Sequence, residues 1–137
     1  MTPTGRTLVY LRLLGFLAAP VERYIVAARR TVDLFGIADV VGIHPRDKAV
    51  LFVQCTSLAH VGDRLKRIKR RPELPLLLRA GIGVECWGWE RRPGRGWVCK
   101  RITVRAGDLA DIVLTAPRDR RRRRGERQGE LFKGTEN

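Results

Sequence analysis

Three polar residues interrupt an otherwise apolar stretch, and their types and spacing could bind a cation. Asp39 lies in one β-branched run, and Gln54 and Thr56 lie in a second. A short polar turn from Pro45 to Lys48 joins the two runs, as is typical of a β-hairpin. Counting outward from this turn on both strands places Asp39 opposite Gln54. Side chains alternate along a strand, so Thr56 lies on the same face as Gln54.

The surroundings of Asp39 determine which chemistry this group would support. A strand that is apolar on both faces is usually central in its sheet and covered on both sides. A carboxylate there is costly to bury unless a cation or hydrogen-bond donors compensate its charge. The hairpin therefore predicts a partner for Asp39, and a metal ion is one candidate.

The hairpin and its flanking elements resemble the core of the PD-(D/E)XK nucleases. The family has an apolar strand that carries Asp, a short turn, and a second strand ending in a polar-x-polar triplet. The stretch DLFGIADVVGI, followed by VQCTS and a basic helix, is similar to a resolvase-like or phage-type branch. The resemblance runs from Thr7 to Val104. Asp39 matches the motif aspartate, whereas Gln54 and Thr56 stand where the family usually has Glu and Lys.

The resemblance implies an α/β fold with a central mixed β-sheet flanked by helices, a restriction-endonuclease-like core. It also implies Mg²⁺ or Mn²⁺ bound by Asp39 and by the backbone carbonyl of Cys55. The amide oxygen of Gln54 could be a weaker ligand, and Thr56 could orient a water molecule. The implied activity is metal-dependent hydrolysis of phosphodiester bonds, with structure-selective cleavage as one form of it.

Two other functions stay open at this stage. The absent motif Glu and Lys favour a catalytically inactive module with the nuclease fold that binds DNA or RNA. A structural or assembly protein, whose basic surface meets an acidic partner, is the third hypothesis. The retained carboxylate of Asp39 favours the nuclease, because a core without a function would hold an apolar side chain there at lower cost.

Glu22 is the candidate for a second acidic metal ligand. If Val21 to Ala27 forms a strand that turns back at RRTVD, Glu22 faces Asp39. A surface ion pair of Glu22 with Arg23 or Arg29 is an equally good interpretation of the sequence.

Asp33 is a further acid close to the predicted site, and it has two interpretations. Its side chain could brace the turn before Gly36, as aspartates often do in turns. It could also be a peripheral metal ligand. Gly36 itself indicates a bulge or a close backbone approach just before the Asp39 strand.

A basic helix is predicted directly after Thr56, with Ser57 as its N-cap and its end before Pro72. Its cations are the predicted contacts to nucleic-acid phosphates: Arg64, Lys66, Arg67, Lys69 and Arg70. An ordinary amphipathic helix with long cationic side chains along its edges is the alternative. The one-sided charge, with Asp63 as the sole acid in this run, favours nucleic acid.

The composition also favours a polyanionic partner. The net charge is +14 over 137 residues, and a chain this basic most often binds nucleic acid. A solvated, Arg-rich surface from a GC-rich genome is the alternative to a nucleic-acid partner. For a nucleic-acid partner, we expect DNA rather than RNA. No apolar run is long enough to span a membrane, so no membrane partner is expected. The oligomeric state is open, with a homodimer among the options.

The chain is predicted to be one domain with a tail. Residues 1–116 form the nuclease-like domain, and residues 117–137 form a disordered Arg-rich tail, because this segment has no apolar periodicity. The three cysteines, Cys55, Cys86 and Cys99, form no CxxC pair. This pattern predicts buried structural thiols in a reducing cytoplasm.

The periodicity of apolar residues predicts the remaining elements. They are a first helix from Thr4 to Ala19, a short helix from Leu74 to Ala80, a hairpin with strands Val84–Glu90 and Trp97–Val104, and a last helix or strand from Asp108 to Leu114. For the first helix, Gly15 followed by Phe16 offers an earlier end as a glycine cap. Trp89 and Trp97 should lie near each other across that hairpin, as packing residues rather than as a surface for stacking bases.

Overall fold

The computed structural model, which describes residues 1–105 and 111–115, has an α/β architecture with helices on both faces of a central mixed β-sheet. The helices are α1 (Pro3–Leu13), α2 (Val61–Lys69) and α3 (Leu74–Arg79), and a 3₁₀ turn spans Leu58–His60. The strands are β1 (Leu17–Pro20), β2 (Arg23–Ile25), β3 (Arg30–Val32), β4 (Val40–His44), β5 (Ala49–Ser57), β6 (Gly83–Arg92), β7 (Gly96–Thr103) and β8 (Asp111–Thr115).

The central sheet has the strand order β1-β4-β5-β6-β7, and β8 extends it beside β7. Strands β5 and β6 are parallel, and the other neighbours in this sheet are antiparallel. A parallel pair needs a long crossover connection, and α2 and α3 provide it here. Strands β2 and β3 form a separate two-stranded hairpin. No helix in the described ranges is long and apolar enough to cross a membrane.

The β4–β5 hairpin has the register that its turn predicts. Val40 pairs with Val53 at one end, and His44 pairs with Ala49 beside the turn. Lys48 closes the turn with a positive φ of 53°. Asp39 lies one residue before β4, and its N–H donates to the carbonyl of Val53 at 2.9 Å. Gln54 on β5 therefore lies opposite Asp39, as the sequence predicts.

The first helix ends early, at the glycine cap that Gly15 and Phe16 predict, and does not reach Ala19. Thr2 caps α1, its hydroxyl accepting from the N–H of Gly5 at 3.0 Å, and the helix ends before Gly15, which has a φ of +96°. The chain then reverses and forms β1, which pairs with β4. Ala18 of β1 is buried in the core that lies between α1 and the sheet. A strand this short has no periodicity of its own, so only its tertiary pairing defines it.

The predicted strand from Val21 to Ala27 is present but shorter. In the structure β2 spans only Arg23–Ile25 of this segment. In the β2–β3 hairpin Arg23 pairs with Val32, so the turn lies earlier than the RRTVD register requires. Arg29 has a φ of +49° in that turn. Ser57 is likewise the last residue of β5 and not the side-chain cap of α2, because the 3₁₀ turn intervenes.

Close packing at Gly88 brings the crossover against the sheet. Gly88 lies opposite Thr56 in the β5–β6 pair. A Cβ at Gly88 would clash with Val61 and would lie 3.0 Å from the Cα of Leu58. The missing side chain therefore lets the start of α2 lie directly over the polar end of β5, next to the predicted site.

On the other face, α1 covers an aromatic core that contains a buried carboxyl group. The ring of Tyr10 meets Trp87 edge-on at 5.6 Å, and Trp89 Nε1 donates to the hydroxyl of Thr7 at 3.0 Å. Glu85 is 2% exposed, and its Oε1 accepts from Trp87 Nε1 at 2.9 Å. Burial raises the pKa of Glu85 from 4.5 to about 7, although the charge of Arg101 and the bond from Trp87 lower it.

This raised pKa predicts a dependence of stability on pH. The stability linked to Glu85 is complete below 4.5 and is lost as the pH rises through 7. Between these values Glu85 holds one more proton in the folded than in the unfolded state, so its contribution to the free energy of unfolding falls by about 1.4 kcal/mol per pH unit. Glu85→Gln keeps an acceptor for Trp87 and removes the titration. Urea unfolding across this window should therefore show a shallower fall for the variant, and equal slopes would contradict the expectation.

Candidate metal centre and adjoining basic surface

Asp39 is buried at the point where β4 begins, with 4% of its surface exposed. Its Oδ2 accepts from the N–H of Cys55 on β5 at 2.8 Å. In a β-strand the N–H and C=O of one residue point to the same side. The backbone carbonyl of Cys55, a predicted metal ligand, therefore belongs to the same edge of β5 as the bond to Asp39.

Three carboxylates meet at this point. One oxygen each of Glu22, Asp33 and Asp39 lies within 4.8 Å of the others, a spacing that could hold a metal ion. The structure thus brings Glu22 beside Asp39, but by a route other than the predicted β2–β3 register. The pairing of β1 with β4 continues past Pro20, where the N–H of Val21 donates to the carbonyl of Asp39 at 2.9 Å.

The three acids, here called the acidic cluster, are electrostatically unfavourable without a counter-charge. Burial, above all, raises the pKa of Asp39 from 3.8 to about 8. A hydrogen bond with Asp33 and the charges of Asp33 and Glu22 raise the pKa further, whereas the Cys55 N–H lowers it. Burial and like charge both disfavour the ionised form of Asp39, the buried member of the cluster. A cation beside Asp39 would favour that form.

Gln54 is fully buried, and its side-chain amide connects the acidic cluster to α2. Its Nε2 donates to Asp33 Oδ2 at 3.0 Å and to the carbonyl of Ile37 at 2.5 Å. Its Oε1 accepts from Arg64 at 2.5 Å and from Arg67 at 3.2 Å. Gln54 therefore makes four hydrogen bonds inside the protein, and its carbonyl oxygen already faces two guanidinium groups.

Thr56 is buried two residues further along β5, on the face that α2 covers. Strand alternation puts it on the same face as Gln54. Its hydroxyl can donate and accept hydrogen bonds but carries no charge. Positive charge reaches the neighbouring Gln54 from α2, through Arg64 and Arg67.

The predicted basic residues of α2 fall into two groups. Arg64 and Arg67 point toward the site: both bond to Gln54, and Arg67 also pairs with Asp33 at 3.1 Å. Lys66 and Arg70 are exposed, and Lys69 is half-buried. Arg64 is thus engaged inside the protein, whereas Lys66 and Arg70 lie on the outer surface.

Arg71 is a residue of the site that the sequence analysis missed. Its Nε donates to the carbonyl of Phe35 at 3.0 Å, and its Nη2 lies 3.2 Å from Glu73 Oε2. Gly36 has a φ of +69°, a conformation that favours glycine, and a Cβ there would lie 2.8 Å from Arg71 Nε. The close approach predicted at Gly36 is therefore made to an arginine side chain. The run of cations just before Pro72 is the sequence pattern that could have indicated this contact.

Two open clefts adjoin the acidic cluster and share Asp33, Gly36 and Arg71 in their walls. The first has a volume of about 470 Å³ and is also lined by Arg23 and Phe35. The second, of about 320 Å³, is also lined by Arg30, Thr31 and Arg67. Four arginines thus surround the clefts next to the three carboxylates.

The side chains of the cysteines and tryptophans take no part in the candidate metal centre. Cys55, Cys86 and Cys99 are buried free thiols, and burial raises the pKa of Cys86 to about 12. Trp89 is in the core, whereas Trp97 is 37% exposed beneath the guanidinium of Arg6, 3.5 Å from the ring centre. Both tryptophans pack against α1, in agreement with the packing interpretation.

The fold and the site together define an α/β protein with an acidic cluster beside an arginine-rich surface. The chain matches no known family model, no curated protein and no solved structure.

Proposed function

We propose that this protein is a metal-dependent nuclease of the PD-(D/E)XK type, with a restriction-endonuclease-like core. The main support is the meeting of Glu22, Asp33 and Asp39 within 4.8 Å, directly beside a basic helix. Metal-dependent hydrolysis of a nucleic-acid phosphodiester needs a site that binds both a cation and a polyanion. The two kinds of residue adjoin each other in this protein, and DNA is the favoured substrate.

The donor set fits a hard divalent cation. Three carboxylates offer oxygen ligands of the kind that Mg²⁺ and Mn²⁺ prefer. Asp39 would be the central ligand, because it is the most buried of the three acids, and Glu22 and Asp33 would complete the anionic set. When bound, such an ion would act as a Lewis acid on the phosphate and would lower the pKa of a coordinated water.

The other residues would position the substrate and the water. The Thr56 hydroxyl would orient a water molecule by hydrogen bonding. Arg64 and Arg67, fixed by Gln54, would supply the positive charge that a motif Lys gives in the nuclease family. Lys66, Lys69 and Arg70 would contact phosphates outside the site, which adds affinity without reading the base sequence.

A second function has an observation in its favour. Gln54 replaces the acidic motif residue, and its amide is fully used by four internal hydrogen bonds. Such a residue strengthens the fold without contributing a charge to a metal. This arrangement favours a nuclease-like module that binds DNA or RNA and no longer cleaves it.

One assay separates the two functions. The full chain is incubated with single-stranded, duplex and branched DNA, and with RNA, in Mg²⁺, in Mn²⁺ or in EDTA. The nuclease proposal expects cleavage with a divalent cation and none in EDTA. A protein that binds these substrates and cuts none of them with either ion would be the binding module, and the nuclease proposal would fail.

A further inference from the structure

The two clefts beside the acidic cluster have a composition that the proposed activity does not explain. A surface that only contacts duplex phosphates needs exposed cations and has no use for an aromatic ring. The first cleft also contains the aromatic ring of Phe35, which is 45% exposed. An exposed aromatic ring between arginines is the combination that proteins use to bind unpaired nucleic-acid strands.

The Phe35 ring is held in a fixed orientation. It lies parallel to the ring of the buried Phe52, with 6.4 Å between centres and 10° between planes. The backbone of Phe35 is in the left-handed region, with a φ of 56°, which is costly for a bulky residue and is most often found at functional sites. The Phe35 carbonyl in turn fixes Arg71. Phe35 and Arg71 are therefore placed together before any ligand arrives.

The arginines of the clefts lie on two facing elements. Arg23 and Arg30 come from the β2–β3 hairpin, and Arg67 and Arg71 come from the end of α2 and the segment after it. Among the described residues, Asp33 is the only acid that lines the two clefts, and it also belongs to the acidic cluster. The arginine-lined clefts therefore adjoin the proposed metal centre at Asp33.

The dimensions of the clefts favour one strand over two. Volumes of about 470 and 320 Å³ are those of sites for small molecules, so each cleft can hold a group of nucleotide size. In a duplex the faces of the bases are stacked on one another, and Phe35 could not reach them. An unpaired strand exposes those faces to an aromatic ring.

We propose that the clefts form a binding site for single-stranded nucleic acid, with a base stacked on Phe35 and the backbone held by Arg23, Arg30, Arg67 and Arg71. This inference rests on the proposed function, for which it names the substrate as an unpaired strand or end. The β2–β3 hairpin forms one wall of the site, and the bound nucleic-acid strand would run from this wall toward Asp33.

The test measures binding in EDTA, so that it does not depend on cleavage. Three fluorescent probes are compared by anisotropy: a short oligothymidylate, the same strand in a duplex, and a strand of equal length with abasic sites. Phe35→Leu keeps an apolar contact with Phe52 but removes the stacking surface. We expect it to weaken binding of the oligothymidylate about tenfold, as loss of one stacked base does. Binding of the duplex and abasic strands should change by less than about twofold.

Two further variants serve as controls. Phe35→Tyr keeps the aromatic ring and should bind the oligothymidylate like the wild type. Trp97→Leu removes an exposed aromatic ring on the α1 face and should also leave binding unchanged. Unchanged oligothymidylate binding by Phe35→Leu, or an equal loss on all three probes, would overturn the proposal.

A charge variant tests the backbone contacts separately. Arg30→Gln removes a cation that lines the second cleft, whereas Arg29→Gln removes the adjacent exposed cation, which does not line it. For the single strand, Arg30→Gln should reduce the slope of log affinity against log salt by about 0.7, as for one lost phosphate contact. Arg29→Gln should leave it unchanged. Equal effects of the two variants would show general charge attraction and contradict the site.

The outcomes distinguish this inference from the proposed function. Stacking-dependent binding in EDTA by a protein that never cleaves would support the single-strand site and end the nuclease proposal. Cleavage by a protein whose single-strand binding does not depend on Phe35 would support the nuclease proposal and contradict the single-strand site. The same EDTA assay with an oligouridylate in place of the oligothymidylate shows whether RNA enters the site.

Discussion

Asp39→Asn should abolish metal-dependent cleavage and leave nucleic-acid binding in EDTA unchanged or slightly tighter. The substitution removes the most buried carboxyl group of the acidic cluster, and a neutral amide is a much weaker ligand for a hard cation than a carboxylate. A bound metal stabilises the transition state by several kcal/mol, so the cleavage rate should fall by more than about a hundredfold when the metal is lost. Binding should persist because the phosphates are held by cations and not by Asp39.

The folded state should tolerate this substitution. An asparagine oxygen can still accept the hydrogen bond from the Cys55 N–H. Removing the carboxyl group, whose pKa is raised to about 8, also removes the cost of ionising it in a buried site. Asp63→Asn is the matched control, because it removes an exposed acid from α2 and should affect neither cleavage nor metal binding.

Cleavage and filter binding of the same substrate, with and without metal, measure these effects. The stabilisation of the protein by Mg²⁺ or Mn²⁺ in a thermal shift assay gives an independent measure, since a bound ligand raises the melting temperature. Asp39→Asn should lose most of that stabilisation. Equal cleavage by the wild type and Asp39→Asn would exclude the acidic cluster as the active site.

The β4–β5 hairpin could be predicted from sequence because its information is local. Two β-branched runs and a short polar turn between Pro45 and Lys48 leave few alternative registers, and a slip by one residue would turn Asp39 to the other face. The structure has this register, with Val40 opposite Val53. The relation between Asp39 and Gln54 follows directly from it.

The elements around the hairpin could not be placed in the same way. The segment from Leu17 to Pro20 continues an apolar helical pattern, and only its pairing with β4 makes it a strand. The position of Glu22 beside Asp39 depends on this β1–β4 pairing rather than on the β2–β3 turn. Long-range pairing of this kind leaves no periodic pattern in a short segment.

The role of Asp33 depends on backbone geometry that composition does not reveal. Asp33 reaches Gln54 and Asp39 because the following loop turns through two positive φ values, at Phe35 and Gly36. A glycine in that conformation can be expected from sequence, but a phenylalanine cannot. The contact between Arg64 and Gln54 likewise requires the parallel crossover, which brings α2 over β5.

Gln54→Glu should make the protein less stable without metal and increase its stabilisation by metal. Gln54 Nε2 lies 3.0 Å from Asp33 Oδ2 and 2.5 Å from the carbonyl of Ile37. A glutamate places an oxygen there, which repels Asp33 and leaves the Ile37 carbonyl without its donor, at a cost of about 1–3 kcal/mol. Its other oxygen keeps the contacts with Arg64 and Arg67. The added carboxylate also strengthens the field that attracts a cation to the acidic cluster.

Thermal unfolding at pH 8, in EDTA and in Mg²⁺ or Mn²⁺, tests both parts of this expectation. The melting temperature of Gln54→Glu should fall by several degrees in EDTA and should rise on addition of metal by more than that of the wild type. Gln54→Met is the uncharged control, because it removes the bonds to Asp33 and Ile37 that Gln54→Glu also removes, and those from Arg64 and Arg67 as well, without adding a charge. It should be destabilised in EDTA and should gain no more from metal than the wild type does. If Gln54→Glu and Gln54→Met respond equally to metal, the acidic cluster does not bind the cation, and Gln54 serves only to connect β5 with α2.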